Sequence, residues 1–529
     1  MRSAPLPTAK KIAKLDTPMN TLALSFSEFI QAPWIYIALL GLMMSLGLVA
    51  YLILLERKVA SWTQDRVGPN RVGFSFGLPF LPQFHFWGLG QPMADGLKFL
   101  VKEDYRASHV DKVLFTIAPM IMIITVLVSI AVIPWGGTKV SIERTNITAS
   151  LVGGEKSDEL LIAERTRVEQ TRAWYSTILA EPKIVYLEPG RTEASLPASD
   201  ANAGKSAVIE TVTGWRFAVS DISIGILFVL ATLSLAVYGV VIGGWASNNK
   251  YSFLGGLRAC ANMISYEIPL GLSVLVIVVM FGTLDLARVV DDQARFWYVA
   301  GIIPIPAWNV FAQPLAFVLF LICIHAEANR APFDMAEAEQ ELVGGYHTEY
   351  SSMRFALFFL SEYAGMITTA CVCVALFFGG WHMPGLDWLF TKIVGYGAVA
   401  GHASWSESIV LCFLRMNVFF AKATVILFLF MWVRWSLPRF RFDQLMRLAW
   451  GGLIPISIGM LLTTTVLVWA TGGRSFDTLS GWDALLFLAM NIVFTVVLVL
   501  VMSVKGPAPS TNRRVDVPGS RYGNKPQVV

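Results

Sequence analysis

The chain reads as an all-α polytopic membrane protein, with about nine transmembrane helices, interfacial amphipathic helices and one extramembrane insertion. Three observations predict this. Only 15% of the 529 residues are charged and 55% are hydrophobic, whereas soluble domains carry roughly 25% charged residues. Mean hydropathy is +0.59. Apolar runs of about 20 residues recur, each able to cross a hydrocarbon core of ~30 Å as a helix, where a β-barrel would show short alternating segments.

Taken in order, residues 1–31 form an N-terminal extension. Its opening, "MRSAPLPTAKKIAKLDTPMN", is basic and polar, and the first apolar run comes late, unlike a removable signal peptide. Residues 32–136 hold two spans, expected at 32–55 and 113–133, joined by a long loop. In that loop "LGQPMADGLKFLVKED" sets Asp95, Lys98 and Lys102 near helical spacing with Leu97, Phe99 and Leu100 between them. This is the pattern of an interfacial amphipathic helix.

Residues 137–217 are polar and charged and form a soluble extracytoplasmic insertion. Leu161, Val168 and Tyr175 recur every seven residues there, which predicts a thin amphipathic helix. The core, 218–470, holds spans at 219–242, 262–282, 311–325, 355–378, 409–433 and 452–470, with an acidic loop at 326–354. Residues 471–503 add a C-terminal span at 483–503. The Pro/Gly-rich remainder, 504–529, reads as a disordered cytoplasmic tail.

Charge sets the expected orientation. With alternating sides, the loops after the odd-numbered spans carry 21 Lys and Arg, and the other side carries 8, leaving out the long insertion. The positive-inside rule places the richer side, with the C-terminus, in the cytoplasm and the N-terminus outside.

The composition also excludes functions. The five cysteines lie in or near apolar segments without a CxxC pair, so they read as small apolar residues rather than iron–sulfur ligands. No glycine-rich nucleotide loop is present. Nucleic acid is not a partner for so apolar a chain. Any electrons must come from other subunits.

What remains is a set of misplaced charges. Between two apolar segments, "AEANRAPFDMAEAEQELVGGYHTEY" holds Glu327, Asp334, Glu337, Glu339, Glu341 and Glu349 with one Arg. Glu337 and Glu341 are four apart and share a helical face. Close carboxylates raise one another's pKa, and burial acts the same way, so such a cluster can hold protons near neutral pH. Glu267 and Glu362 lie inside spans, and Glu327 directly follows one. An intramembrane carboxylate is a functional hypothesis by default. Lys422, deep in the run 409–433, needs a partner, expected to be a carboxylate. Glu56, Arg57 and Lys58 end the first span, and Arg434, Arg439, Arg441 and Arg447 form a basic loop near the end of the core.

Six motifs occur in one order: "ERKVASWTQDRVGPNRVG", "QPMADGLKFLVKED", "GWASNNKYSFLGGLRACANMISYEIP", the acidic stretch above, "FFLSEYA" and "RWSLPRFRFDQLMRLAW". Together they closely resemble the family of H subunits of the proton-pumping NADH:quinone oxidoreductase, respiratory complex I, whose mitochondrial counterpart is the first NADH dehydrogenase membrane subunit. The resemblance implies a non-redox subunit that forms much of a quinone chamber and couples quinone reduction to proton translocation. Quinone would be a substrate, and the chain itself would bind no FMN, NAD or iron–sulfur cluster. By motif, Glu56, Arg57, Asp95, Asp334, Arg439 and Arg441 fall at the chamber. Glu267, Glu327, Glu337, Glu339, Glu341 and Glu362 fall on a proton route.

Implied partners are the peripheral-arm iron–sulfur and quinone-site subunits, antiporter-like and small membrane-arm subunits, quinone and the lipid bilayer. The implied location is a bacterial-type inner membrane. Two alternatives stay open on the sequence: a related subunit of a membrane-bound hydrogenase, and a stand-alone ion transporter. The lack of inverted repeats counts against the transporter. The insertion, both terminal extensions and the region around 385–408 depart from the family's usual pattern.

Overall fold

Helices follow the apolar runs. The computed structural model describes residues 33–73, 86–147, 165–168, 177–187, 206–299, 303–335, 344–386, 389, 405–471 and 481–504. The membrane bundle comprises α1 (Pro33–Thr63), α2 (Gln91–Val101), α3 (Lys112–Val132), α4 (Gly225–Ala246), α5 (Lys250–Phe281) and α6 (Leu286–Asp292), followed by α7 (Pro314–Glu327) and α8 (Ser352–Phe377). It closes with α9 (Ile409–Ser436), α10 (Phe442–Ala470, with a π-helical turn at Ala449–Leu453) and α11 (Gly481–Val504). Among the described residues, seven helices are long and apolar enough to cross a membrane. The nine expected spans all fall on helices of this set. The expected extension 1–31 and the tail from 505 lie outside the described residues.

Several helices run further than the apolar runs. The α5 helix begins at Lys250 rather than 262, because Asn249 caps its start: the Oδ1 accepts from the Tyr251 N–H at 3.0 Å. It ends on Gly282, whose left-handed backbone (φ +65°) lets its N–H reach Val278 O at 2.8 Å. In α3, Asp111 caps the start by accepting from Val113 and Leu114. The short α7, 14 residues long, follows a single turn at Asn309–Ala312. At ~1.5 Å per residue it spans too little to cross a bilayer alone, so the crossing there is a broken element.

The insertion carries a sheet that the sequence reading did not expect; Leu161 and Tyr175 of the expected helix lie outside the described residues. Strands β1 (Thr138–Ile147), β2 (Thr177–Leu187) and β3 (Ser206–Arg216) form a sheet with the two-residue β6 (Trp405–Ser406), in the order β2-β3-β1-β6. A separate hairpin pairs β4 (Phe296–Val299) with β5 (Ile303–Pro306). The β1–β3 pair is antiparallel from Thr138↔Arg216 to Ile147↔Ala207. Among the described residues of the charged segment, 165–168 are helical and 177–187 are a strand. The signal was in the side chains: Ile209, Thr211 and Thr213 are buried at every second position, and β-branched residues suit a pleated surface. The sheet is rooted in the bundle. Trp135 N–H bonds Phe217 O and Phe217 N–H bonds Gly137 O, both at 2.9 Å. Arg216 pairs with Asp221 (2.7 Å) and with Asp285 (3.0 Å), the N-cap of α6. Burial opposes the Arg216 charge, but Asp285 and Asp221 outweigh it and raise its pKa above the ordinary value.

The bundle packs by close approach of small residues. A Cβ on Gly239 of α4 would run into Met122 Cγ and lie 3.0 Å from Ala118 O. Further along the same helix pair, Ser129 and Thr232 share a buried hydrogen bond of 2.7 Å. Small residues and buried hydroxyls are what hold helices together without a hydrophobic driving force. The helix directions put two ends in opposition. The sheet, β4–β5 and residues 378–382 after α8 lie at one end; α2, residues 328–335 after α7 and the basic segment 437–441 lie at the other.

Candidate functional site

Toward that second end, buried and half-buried charges from five helices meet. Glu56, near the end of α1, is 7% exposed. The Tyr363 hydroxyl of α8 donates to its Oε2 at 2.6 Å, and Arg434 near the end of α9 pairs with its Oε1. The Arg330 guanidinium lies 4.1 Å from the centroid of the Tyr363 ring, an attractive cation–π arrangement. Arg330 also pairs with Glu362 at 3.8 Å. Glu362 and Glu327 line one cavity of about 40 Å³ with Asn329, Ser361 and Thr369. Glu327 and Glu267 interact electrostatically, and Ser234 of α4 donates to Glu267. The result is a continuous run: Arg434, Glu56, Tyr363, Arg330, Glu362, Glu327, Glu267, Ser234.

A large cavity adjoins one end of this run. It measures about 650 Å³ and is lined by α1, by residues around Asn70 and Trp87, and by Thr424 of α9. Its walls are mostly apolar, among them Leu52, Leu55 and Trp62, with Lys58 as a cation. That volume is ordinary for a small-molecule pocket. Leu52 also lines a small void of about 10 Å³ whose other walls include Glu56, Arg330 and Arg434. Leu52 is thus common to the walls of the apolar cavity and of the void beside the charges. Two tight glycines fix the outer wall: a Cβ on Gly88 would lie 2.5 Å from Pro69 O, and one on Gly90 2.7 Å from Gly73 O.

The structure separates neighbours in sequence. Glu56 turns inward, but Arg57 turns out and pairs with Asp95 of α2 at 2.9 Å, both partly exposed. Gln91 Nε2 steadies the other Asp95 oxygen at 2.9 Å. The α2 helix has no buried residue and starts on proline-bearing "QP", in keeping with the interfacial helix expected there. Asp334 is 9% exposed, at the foot of the acidic loop. The neighbouring Phe333 O accepts from Asn262 Nδ2 at 3.3 Å. The Phe440 N–H bonds Pro332 O at 3.2 Å, so the basic segment carrying Arg439 and Arg441 docks on the same corner. Glu337, Glu339 and Glu341 lie outside the described residues.

The sequence reading named the acids and missed two roles. Tyr363 gave no signal beyond its place beside Glu362. Arg330 was visible as the lone cation of the acidic loop. Lys422 is a correction: its ammonium is held by backbone carbonyls of the α8–α9 connection, not by a carboxylate. Among the described residues no group of three or more His, Cys, Asp or Glu could hold a metal ion.

Comparison with known proteins fits this architecture. The NADH dehydrogenase family matches over residues 36–153 and 194–465, leaving out part of the insertion and all of α11. The H 1 subunit of the NADH-quinone oxidoreductase of Cytophaga hutchinsonii is 37% identical over 425 residues, covering 79% of this chain and 92% of the relative. The H 2 subunit of the Koribacter versatilis enzyme is 38% identical over 423 residues, with 79% and 92% coverage. The H subunit of the Flavobacterium johnsoniae enzyme is 36% identical over 413 residues, with 78% and 88% coverage. On this similarity the chain belongs to the NADH dehydrogenase family, alongside the H subunits of NADH-quinone oxidoreductase.

Proposed function

We propose that this chain walls part of a quinone chamber and passes the effect of quinone reduction along the buried charge run as proton movement. The observation that carries the reading is the junction at Leu52, where a 650 Å³ apolar cavity meets the buried Glu56 cluster. An isoprenoid quinone is a polar head on a hydrocarbon tail, and this pairing of surfaces suits both halves. The names of the relatives support quinone over a hydrogenase role.

The chemistry follows from charge. Reducing one quinone to quinol takes two electrons, delivered by neighbouring subunits, and two protons. Taking protons from the surroundings of Glu56, or moving an anionic intermediate past it, changes the charge facing Arg434 and Arg330. In a low dielectric that change is felt by every member of the run. Glu56, Arg57, Asp95, Asp334, Arg439 and Arg441 serve the chamber on this reading. Glu267, Glu327 and Glu362, with Glu337, Glu339 and Glu341 of the loop, serve as the proton route. The Arg57–Asp95 pair would then sit at the cavity's membrane-facing rim. The end bearing α2 and the acidic loop faces the cytoplasm and the peripheral-arm subunits, and the chain sits in a bacterial-type inner membrane.

The test is Glu327→Gln in the assembled enzyme, read as quinone reduction and proton pumping per complex. Gln keeps the size and removes the titration. Loss of pumping with assembly intact is expected. Unchanged reduction and unchanged pumping would take Glu327 off the route.

A further inference from the structure

At the far end of α8, against the middle of α9, the structure holds a caged cation. The α8 helix ends at Phe377, and the chain then turns through Gly379 and Gly380 with φ +65° and +52°. Side chains are impossible there without a shift: a Cβ at 379 would lie 2.5 Å from Trp308 Nε1, and one at 380 2.5 Å from Val290 Cγ1. Only glycine takes this backbone freely. The curl aims three carbonyls at one point. Lys422 Nζ, from the middle of α9, occupies that point. It donates to Phe378 O at 2.8 Å, Gly380 O at 3.0 Å and His382 O at 2.5 Å. The Trp308 ring closes the cage, with its centroid 4.6 Å from Nζ.

The ammonium has three donors, and all three are used. The cage is built of neutral oxygens at the negative end of the α8 dipole. His382 adds no charge: burial, together with the charges of Arg415 and Lys422, holds its imidazole pKa well below the ordinary value, so the ring is neutral. Convergent carbonyls that replace a hydration shell are the chemistry of monovalent-cation sites, whereas divalent ions favour carboxylates.

We propose that the 378–382 carbonyls form a monovalent-cation cage whose resident ion is the Lys422 ammonium, and that this makes Lys422 a positioning residue for the charge run. The link is mechanical. Tyr363 on α8 and Arg434 on α9 grip Glu56 from two sides, so their separation depends on how α9 is fixed along α8. Lys422 fixes it at the far end. Shortening the side chain empties a cage that K⁺ or Na⁺ can fill.

The test uses Lys422→Met in the purified assembled enzyme, in KCl, NaCl and choline chloride at equal ionic strength. Choline is too large for the cage. Thermal unfolding and quinone turnover are both read. The expected result is a midpoint several degrees below wild type in choline, recovered saturably by K⁺ or Na⁺, while wild type responds to none of the three. Equal losses in all three salts would overturn the cage. A wild-type midpoint throughout would overturn both the cage and the positioning role. Turnover should fall and recover with the midpoint, in kcat rather than KM; turnover that stays at the wild-type level while the midpoint falls would overturn the positioning role alone. If Lys422→Met does not assemble, Lys422→Gln keeps two donors and refills the cage with an amide. It should unfold below wild type without any cation response, and a wild-type midpoint for it would overturn the proposal. The unfolding arm is independent of the quinone reading, so failure of one is distinguishable from failure of the other.

Discussion

Tyr363→Phe isolates one bond of the charge run. The substitution removes the hydroxyl that donates to Glu56 Oε2 at 2.6 Å and leaves the ring that faces Arg330 at 4.1 Å. Glu56 is 7% exposed, so little water replaces the lost donor. A hydrogen bond to a charged group is worth about 1.5–3 kcal/mol. At 1.36 kcal/mol per factor of ten, that range corresponds to roughly ten- to a hundredfold if the bond matters fully at the rate-limiting step. We expect quinone reductase turnover per assembled complex to fall by about tenfold or more, with assembly retained because Arg434 still neutralises Glu56. The decisive assay is a double-mutant cycle with Glu56→Ala. If the two side chains act through their bond, Tyr363→Phe costs far less once Glu56 is gone. Losses that multiply to within about twofold would mean independent action, and so would refute the run as a connected unit at its first link.

Two further outcomes follow from the fold. Gly239→Ala forces a methyl into Met122 Cγ, and overpacking of this kind costs roughly 1–3 kcal/mol; it should lower the thermal midpoint of the subunit and the yield of assembled enzyme, and an unchanged midpoint would show that α3 and α4 can part freely. Replacing 148–205 by a short linker joins Ile147 to Ser206 across a register in which Ile147 faces Ala207; quinone reduction should survive, because the Arg216–Asp285 root is untouched, and lost turnover in an assembled complex would place the insertion in the catalytic route.

The membrane architecture was legible because hydropathy acts locally: a run of apolar side chains forms helix wherever it lies. The sheet of the insertion was not, because the period-two burial of Ile209, Thr211 and Thr213 becomes decisive only when β3 pairs with β1 and β2. Register between strands far apart in sequence is a long-range fact. The site divides the same way. Glu56, Glu267, Glu327 and Glu362 announced themselves as charges in apolar surroundings. Their partners did not, since Tyr363 and Glu56 are 307 positions apart and a tyrosine in a membrane helix is unremarkable. Lys422 was read with the wrong partner for a related reason. Sequence displays side chains that could neutralise an ammonium but hides backbone carbonyls, which become a ligand set only when two glycines curl the chain.

The distribution of charge argues that the run is there for something other than holding the bundle together. The α3–α4 pair shows how this chain binds helices when nothing else is asked: Gly239 against Ala118 and Met122, and a single Ser129–Thr232 bond. Between α1, α5, α7, α8 and α9 the solution differs. Four carboxylates (Glu56, Glu267, Glu327, Glu362) stand beside two guanidiniums (Arg330, Arg434). Buried ion pairs contribute little net stability, and well-packed apolar replacements are often as stable or more so. A bundle built only to fold would not need such a cluster, because the same helices could close on small residues. Charges placed in contact rather than spread through the bundle respond to one another, and the apolar cavity whose lining shares Leu52 with theirs is where the proposed quinone would sit.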